Sequence, residues 1–278
     1  MENLEFVLPE EISNKINAVF ITLSSEKAHS LIEICTALNQ ISNDNPDGKL
    51  KKTLTLLAKI CSPILNLESR NDPFQPLMTL ENKRSFLPID LTEEENLYLS
   101  SIVNEDISPI LKARIADILW TYSVPKNKKY SEIAIENYIS MDVCNDFFQP
   151  DIYVFWERAV VLAKQTKNSS LIEKIKSKLL HEIDRPSTNW DFHLLKIIEI
   201  FVKTDLAKEL NQDFAEKLLE KQKKFDHKEQ FHIVGQYLEY SEKLFQKSNN
   251  LDKKYDCIAL LAQATENYGD HRKNERSF

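Results

Sequence analysis

The chain predicts an all-α protein, a helical bundle followed by stacked helical hairpins in a solenoid-like run. Three observations carry that prediction. Apolar residues recur at three- and four-residue spacing through almost every segment. The 278 residues include three glycines, Gly48, Gly235 and Gly269, each isolated, so the fixed glycine spacings of phosphate and dinucleotide loops are missing. In the second half, helical pairs begin near residues 151, 189 and 227, a period of about 38 residues.

From the N-terminus, Pro9 to about Ile41 reads as two helices broken near Ser24 and Ser25. Ile16, Val19 and Phe20 line the first, and Leu31, Ile32, Cys35 and Leu38 the second. The breaker cluster Ser42 to Gly48 separates them from a third helix, about Lys49 to Leu65, with Leu54, Leu57, Ile60 and Cys61 inward. Asn66 to Leu91, with Pro73, Pro76 and Pro88, is a long irregular crossing, and Phe74, Leu77, Met78, Phe86 and Leu87 give it apolar residues to pack. It divides the expected domains: an N-terminal helical bundle with its crossing loop at 1–86, and a helical-pair region at 87–278.

Leu87 to Met141 holds three helices with distinct start signals. Thr92 followed by Glu95 is a capping box. Leu97, Tyr98, Ile102 and Val103 form the stripe of that helix. Ser108 before Pro109 opens the second, because serine accepts from first-turn amides and proline there lacks a donor that would be orphaned anyway. Leu111, Ile115, Ile118, Leu119 and Tyr122 fall on its apolar face, with Lys112, Arg114 and Asp117 elsewhere, and Pro125 stops it. A third helix, about Tyr130 to Met141, puts Ile133, Ala134, Tyr138 and Ile139 inward.

The pairs that follow run from Asp151 to Asp184, from Trp190 to Phe225 and from His227 to about Arg272. Their period is that of tetratricopeptide-, HEAT- and armadillo-type stacks, in which each pair buries its apolar face against the next. Ala259, Ala262, Ala264, Tyr268 and Gly269 resemble a tetratricopeptide-like helix with its glycine stop.

Charge and cysteine usage bound the function. Thirty-six basic and 43 acidic residues are interspersed for a net charge of -7, which argues against a nucleic-acid partner. The densest basic run, Lys164, Lys167, Lys174, Lys176 and Lys178, reads as a solvated helix face, with a single-stranded nucleic-acid surface as its alternative. Cys35, Cys61, Cys144 and Cys257 have no metal or redox spacing and read as buried thiols of a reducing compartment. The acidic start MENLEFVLPEEI lacks a basic n-region, and no window reaches the ~18 to 20 apolar residues of a membrane span. The expectation is a cytoplasmic protein with no membrane partner.

Chemistry-bearing residues are few and each has an ordinary structural reading. His227 and His232 are five apart, off the three- or four-residue spacing of a helical metal pair. His29 and Glu33 have the right spacing but read as a surface contact. Trp190, Asp191 and His193 sit at a helix start, where Asp191 favours the positive end of the dipole. Arg114 and Asp117, beside Trp120, form the most site-like constellation; the spacing reads as a local ion pair, with docking of a neighbouring helix or partner as the alternative. Phe147, Phe148, Tyr153, Phe155 and Trp156 around Pro150 read as a core seam. No catalytic, cofactor-binding or metal residue is assigned.

The segment from Phe86 to Met141 resembles the N-terminal helical region of a bacterial family of uncharacterised proteins labelled domain of unknown function 7380 and 4209. The acidic cap after Asp90 and Leu91, the run ARIADILW from Ala113 to Trp120 and the run from Ala134 to Tyr138 carry the resemblance. It implies a longer protein whose C-terminal domain bears an Arg-Asn-x-x-x-His motif like that of helical ribonucleases. Here Arg70 and Asn71 begin such a pattern, Gln75 stands where histidine is needed, and Arg272 is followed by Lys273. The uncapped ending HRKNERSF is expected to mark a shortened homologue or part of a longer chain. The resulting expectation is a non-enzymatic interaction module with a protein partner and no cofactor; the alternative is the regulatory part, or a shortened homologue, of a helical RNA-cleaving enzyme.

Overall fold

The computed structural model describes residues 6–25, 31–44, 47–61, 91–140, 152–185, 191–203, 212–226 and 230–275. Among these are twelve α-helices and a 3-10 turn at Gln222–Lys224, with no strand. The helices are α1 (Pro9–Ser25), α2 (Leu31–Asp44), α3 (Gly48–Cys61), α4 (Glu93–Ile102), α5 (Pro109–Tyr122), α6 (Lys128–Ser140), α7 (Ile152–Thr166), α8 (Ser169–Asp184), α9 (Asp191–Lys203), α10 (Gln212–Lys221), α11 (Phe231–Lys247) and α12 (Leu251–Glu275). The expected fold class is the observed one. No described helix is long and apolar enough to cross a membrane.

The chain divides into two compact units, Met1–Leu171 and Ile172–Phe278. The boundary expected at 86/87 lies in 62–90, outside the described residues together with the proline-rich crossing. α1 packs against α4, and α3 against α5, so helices from both sides of that stretch share the first unit.

α5 is the hub of the first unit and contacts α3, α4 and α6. From Ala113 to Trp120 every residue is buried, including Arg114 and Asp117. A helix surrounded on all sides has no polar face, which corrects the expected stripe with these two charges elsewhere. Local chemistry sets its neighbours. The Thr92 hydroxyl accepts from Glu95 N at 3.1 Å and the Glu95 carboxylate accepts from Thr92 N at 2.7 Å, so the capping box of α4 is present. Asp47 caps α3 by accepting from Lys49 N at 2.9 Å. Ser108 departs from expectation: its side chain makes no cap bond, although Pro109 does occupy the first turn. Leu97 is exposed and leaves the α4 stripe to Tyr98, Leu99 and Ile102, while Ile135 takes the inward place expected of Ile133 on α6.

α11 is the hub of the second unit and packs against α9, α10 and α12. Its end explains the tight return into α12. Asn249 has φ 58, Asn249 N donates to Gln246 O at 3.2 Å, and Asn250 N donates to Phe245 O at 2.9 Å. That paired bonding is a Schellman stop, and asparagine tolerates its left-handed position. The Asn250 side chain then caps α12 by accepting from Lys253 N at 3.2 Å. The helix starts at Ile152, Asp191 and Phe231 are 39 and 40 residues apart, slightly longer than the expected period of about 38.

Candidate functional site

Two features stand out chemically: a buried charge cluster in the first unit and an apolar row in the second. The cluster centres on Asp117. Arg158 of α7 meets it side-on, donating from Nε to Oδ2 at 2.9 Å and from a terminal nitrogen to Oδ1 at 2.6 Å. Tyr138 of α6 donates its hydroxyl to Asp117 Oδ2 at 3.0 Å. Arg114, one turn before Asp117, lies 3.6 Å from the same oxygen and donates to the Tyr138 hydroxyl at 3.4 Å and to the Ile60 carbonyl of α3 at 3.1 Å. Four helices are joined through one carboxylate.

Arg114 is 1 % and Asp117 2 % exposed. The local ion pair that the spacing suggested is present at 3.6 Å, it is buried, and the same two residues also dock neighbouring helices of the chain. Burial, reinforced by the Asp117 charge, pushes the Tyr138 phenol far above its ordinary range, so it stays a proton donor. With both guanidiniums engaged, the arrangement fastens helices together.

The residue before Arg158 behaves differently. Glu157 is 9 % exposed, and burial pushes its carboxyl up to about 7. Sequence reading missed Tyr138 as a polar partner, and Glu157 and Arg158 altogether. A signal for the last two exists: a charged pair inside the apolar run YVFWERAVVLA has too few polar neighbours to lie on a solvated face.

In the second unit lysines close helix ends. Lys221 of α10, also buried, donates to the Ile183 and Arg185 carbonyls, both at 2.9 Å, and so satisfies the C-terminus of α8. Lys247 of α11 donates to the Val202 carbonyl of α9 at 2.8 Å.

α12 supplies the other feature. Its seam against α11 runs through Lys254, which lies 3.6 Å from Glu242; Cys257 and Ala264, both buried; Leu261, 3.7 Å from where a Cβ on Gly235 would stand; and Tyr268, stacked on Phe231 at 4.7 Å. Leu251, Tyr255 and Ile258 lie off that seam at 49 %, 62 % and 44 % exposure, in a four-then-three spacing that continues to the exposed Ala262. Asp252, Asp256 and Glu266 are exposed on the same helix, Glu266 in line with Tyr255, and Asp256, two residues before Ile258, on the face opposite it.

The remaining sequence candidates do not converge. His29, Arg70, Asn71, Gln75, Cys144, Phe147, Phe148, Pro150, Trp190 and His227 lie outside the described residues, as do the side chains of Glu33, Cys35, Tyr153, Asp191, His193, Arg272 and Lys273. His232 is exposed at the start of α11, its ring 5.7 Å from that of Phe231. Phe155 and Trp156 are buried, as a core seam requires. Cys61 and Cys257 are buried and in no disulfide, and burial, with Asp256 and Glu242 nearby, pushes the Cys257 thiol up to about 11. Of the basic run, Lys164, Lys167 and Lys174 are exposed, while Lys176 pairs with Glu173 at 2.7 Å and Lys178 with Glu182 at 2.8 Å. Among the described residues no group of three or more histidine, cysteine, aspartate or glutamate side chains is placed to hold a metal ion.

Comparison with known proteins matches one family model, described as a domain of unknown function (DUF7380), over residues 4–175. No curated protein and no solved structure matches the chain. The matched span covers α1 to α7 and the first turns of α8, which is nearly the extent of the first compact unit. The charge cluster that joins α3, α5, α6 and α7 therefore lies inside the matched domain, and the chain belongs to the DUF7380 family.

Proposed function

We propose that the chain is a non-enzymatic helical interaction module of a bacterial cytoplasmic protein, related also to the family labelled 4209, that works by docking a protein partner on its second unit. The observation that carries this reading is the exposed Leu251–Tyr255–Ile258 row on α12. Large apolar side chains grouped on one helix face favour leaving water, and grouping of that kind marks interaction surfaces. The buried charges of the first unit support the same reading, because their hydrogen bonds are spent on helices of the chain itself.

The test places a photo-crosslinking amino acid at Tyr255 and, in a separate protein, at Glu239 on the exposed side of α11, each expressed in the source cell. A discrete protein adduct from position 255, lost when Ile258→Ser is added and not formed from position 239, supports the module. RNA cleavage by the full chain that survives repurification and depends on added metal overturns it in favour of a helical RNA-cleaving enzyme.

A further inference from the structure

One end of the first unit carries positive charge, in a chain whose net charge is -7. α5 and α7 end there and α6 begins there: the Asn168 side chain, just past α7, donates at 3.2 Å to Glu132 near the start of α6. Lys128 and Lys129 open α6, Lys164 and Lys167 stand at the end of α7, and all four are exposed. Neither 121–131 nor 162–171 contains an aspartate or glutamate, and Glu132, the next acid on α6, is bonded to Asn168. Among the described residues no ion pair or hydrogen bond takes up the ammonium of Lys128, Lys129 or Lys167. The loop between α5 and α6 is held in place. Lys126 donates to the Trp120 and Thr121 carbonyls at 2.8 and 2.5 Å and so offsets the negative end of α5, while Asn127 N donates to the Ser123 hydroxyl at 3.2 Å. That loop sets Val124 outward at 94 % exposure.

We propose that this end of the first unit takes a short acidic segment of a partner protein, with its carboxylates on Lys128, Lys129 and Lys167 and an apolar side chain on Val124. The surface belongs to the matched domain and does not depend on the α12 row. Charge complementarity calls for an anion, and three features select this one. Lysine ammoniums are point charges; the fork that grips phosphate side-on belongs to arginine, and Arg158, which reaches Thr121 at 3.5 Å, is spent on Asp117. The bases of a single strand need an aromatic face to stack on, but the Trp120 ring is 8 % exposed with Lys126 over it at 5.5 Å, and Tyr122 and Tyr130 are half-buried. An extended polyanion, whether a nucleic acid or a lipid surface, also meets the acidic remainder of the chain, whereas a short segment stays within the ~8 Å over which the patch acts at physiological salt.

The test titrates the full chain into two short fluorescent peptides, one of glutamates around a central leucine and the other its glutamine counterpart, followed by anisotropy at low salt. The glutamate peptide should bind at least tenfold tighter, and added salt should erase the difference. Lys128→Glu with Lys129→Glu should weaken its binding at least tenfold. Lys49→Glu with Lys51→Glu, the same change in net charge at exposed positions of α3, should change it less than threefold. Equal binding of both peptides, no binding, or an equal loss from the two charge-reversal pairs overturns the proposal. So does tighter binding of a single-stranded oligonucleotide, or of phosphatidylglycerol vesicles, that the Lys128 and Lys129 reversal removes; that result gives the patch to a nucleic acid or a lipid surface instead. The comparison of the two peptides on the unaltered chain decides even where a variant fails to fold.

Discussion

Replacing Asp117 by asparagine keeps the side chain's shape and removes its charge. Arg158 then loses a side-on carboxylate at 2.6 and 2.9 Å, and Arg114, 1 % exposed, loses the anion 3.6 Å away. Removing one partner of a buried ionic set leaves uncompensated charge in low dielectric, which costs about 3–5 kcal/mol. For a unit of this size that is a drop of roughly 6–20 °C in melting temperature. Urea unfolding by circular dichroism gives the total loss, and amide hydrogen exchange over 109–122 and 152–166 shows whether it falls on α5 and α7. A companion variant with Arg114→Met, Asp117→Leu and Arg158→Met removes all three charges together. It should lie within about 2 kcal/mol of the parent or above it, because a well-packed apolar replacement avoids the desolvation cost of all three. If Asp117→Asn loses less than about 1 kcal/mol, the burial that makes the pair expensive to break is wrong.

Three further outcomes follow from single residues. The Glu157 carboxyl is raised from 4.5 to about 7 in the folded chain, so its neutral form contributes stability that is complete below pH 4.5 and is lost as pH rises through 7; Glu157→Gln should match the parent in urea melts at pH 4.5 and exceed it by about 1–3 kcal/mol at pH 8, and a parent that gains stability on the variant as pH rises contradicts the shift. Gly235→Ala should raise the stability of the second unit by about 0.5–1 kcal/mol, because the new Cβ meets only Leu261 Cδ1 at an ordinary 3.7 Å inside a helix; a loss in the same melt means α11 and α12 lie closer than described. Lys221→Met should cost about 1–3 kcal/mol and speed amide exchange near residues 180–185, where the Ile183 and Arg185 carbonyls lose their donor.

The parts of the fold legible in the sequence are those governed by local chemistry. The Thr92–Glu95 box and the proline in the first turn of α5 depend on neighbours within a few residues, and both are present in the structure. What local spacing could not supply is how many sides of a helix are covered. Arg114 and Asp117, three apart, have the spacing of a local ion pair, and only the helices packed around α5 turn them into a buried joint with Tyr138 and Arg158, 21 and 41 positions beyond Asp117. The same limit applies to α12. The placement of the α11 seam along Cys257, Leu261 and Ala264 leaves Leu251, Tyr255 and Ile258 facing water.

A docking row must lie outside the core, and the urea midpoint of the Tyr255→Ser, Ile258→Ser double variant tests this most directly. Exposed side chains away from packing contribute little to folding, so stability should change by no more than about 0.5 kcal/mol per site. A loss of about 2 kcal/mol or more for either residue, the value for a buried apolar side chain, would place the row inside the fold and leave no free face for a partner to cover.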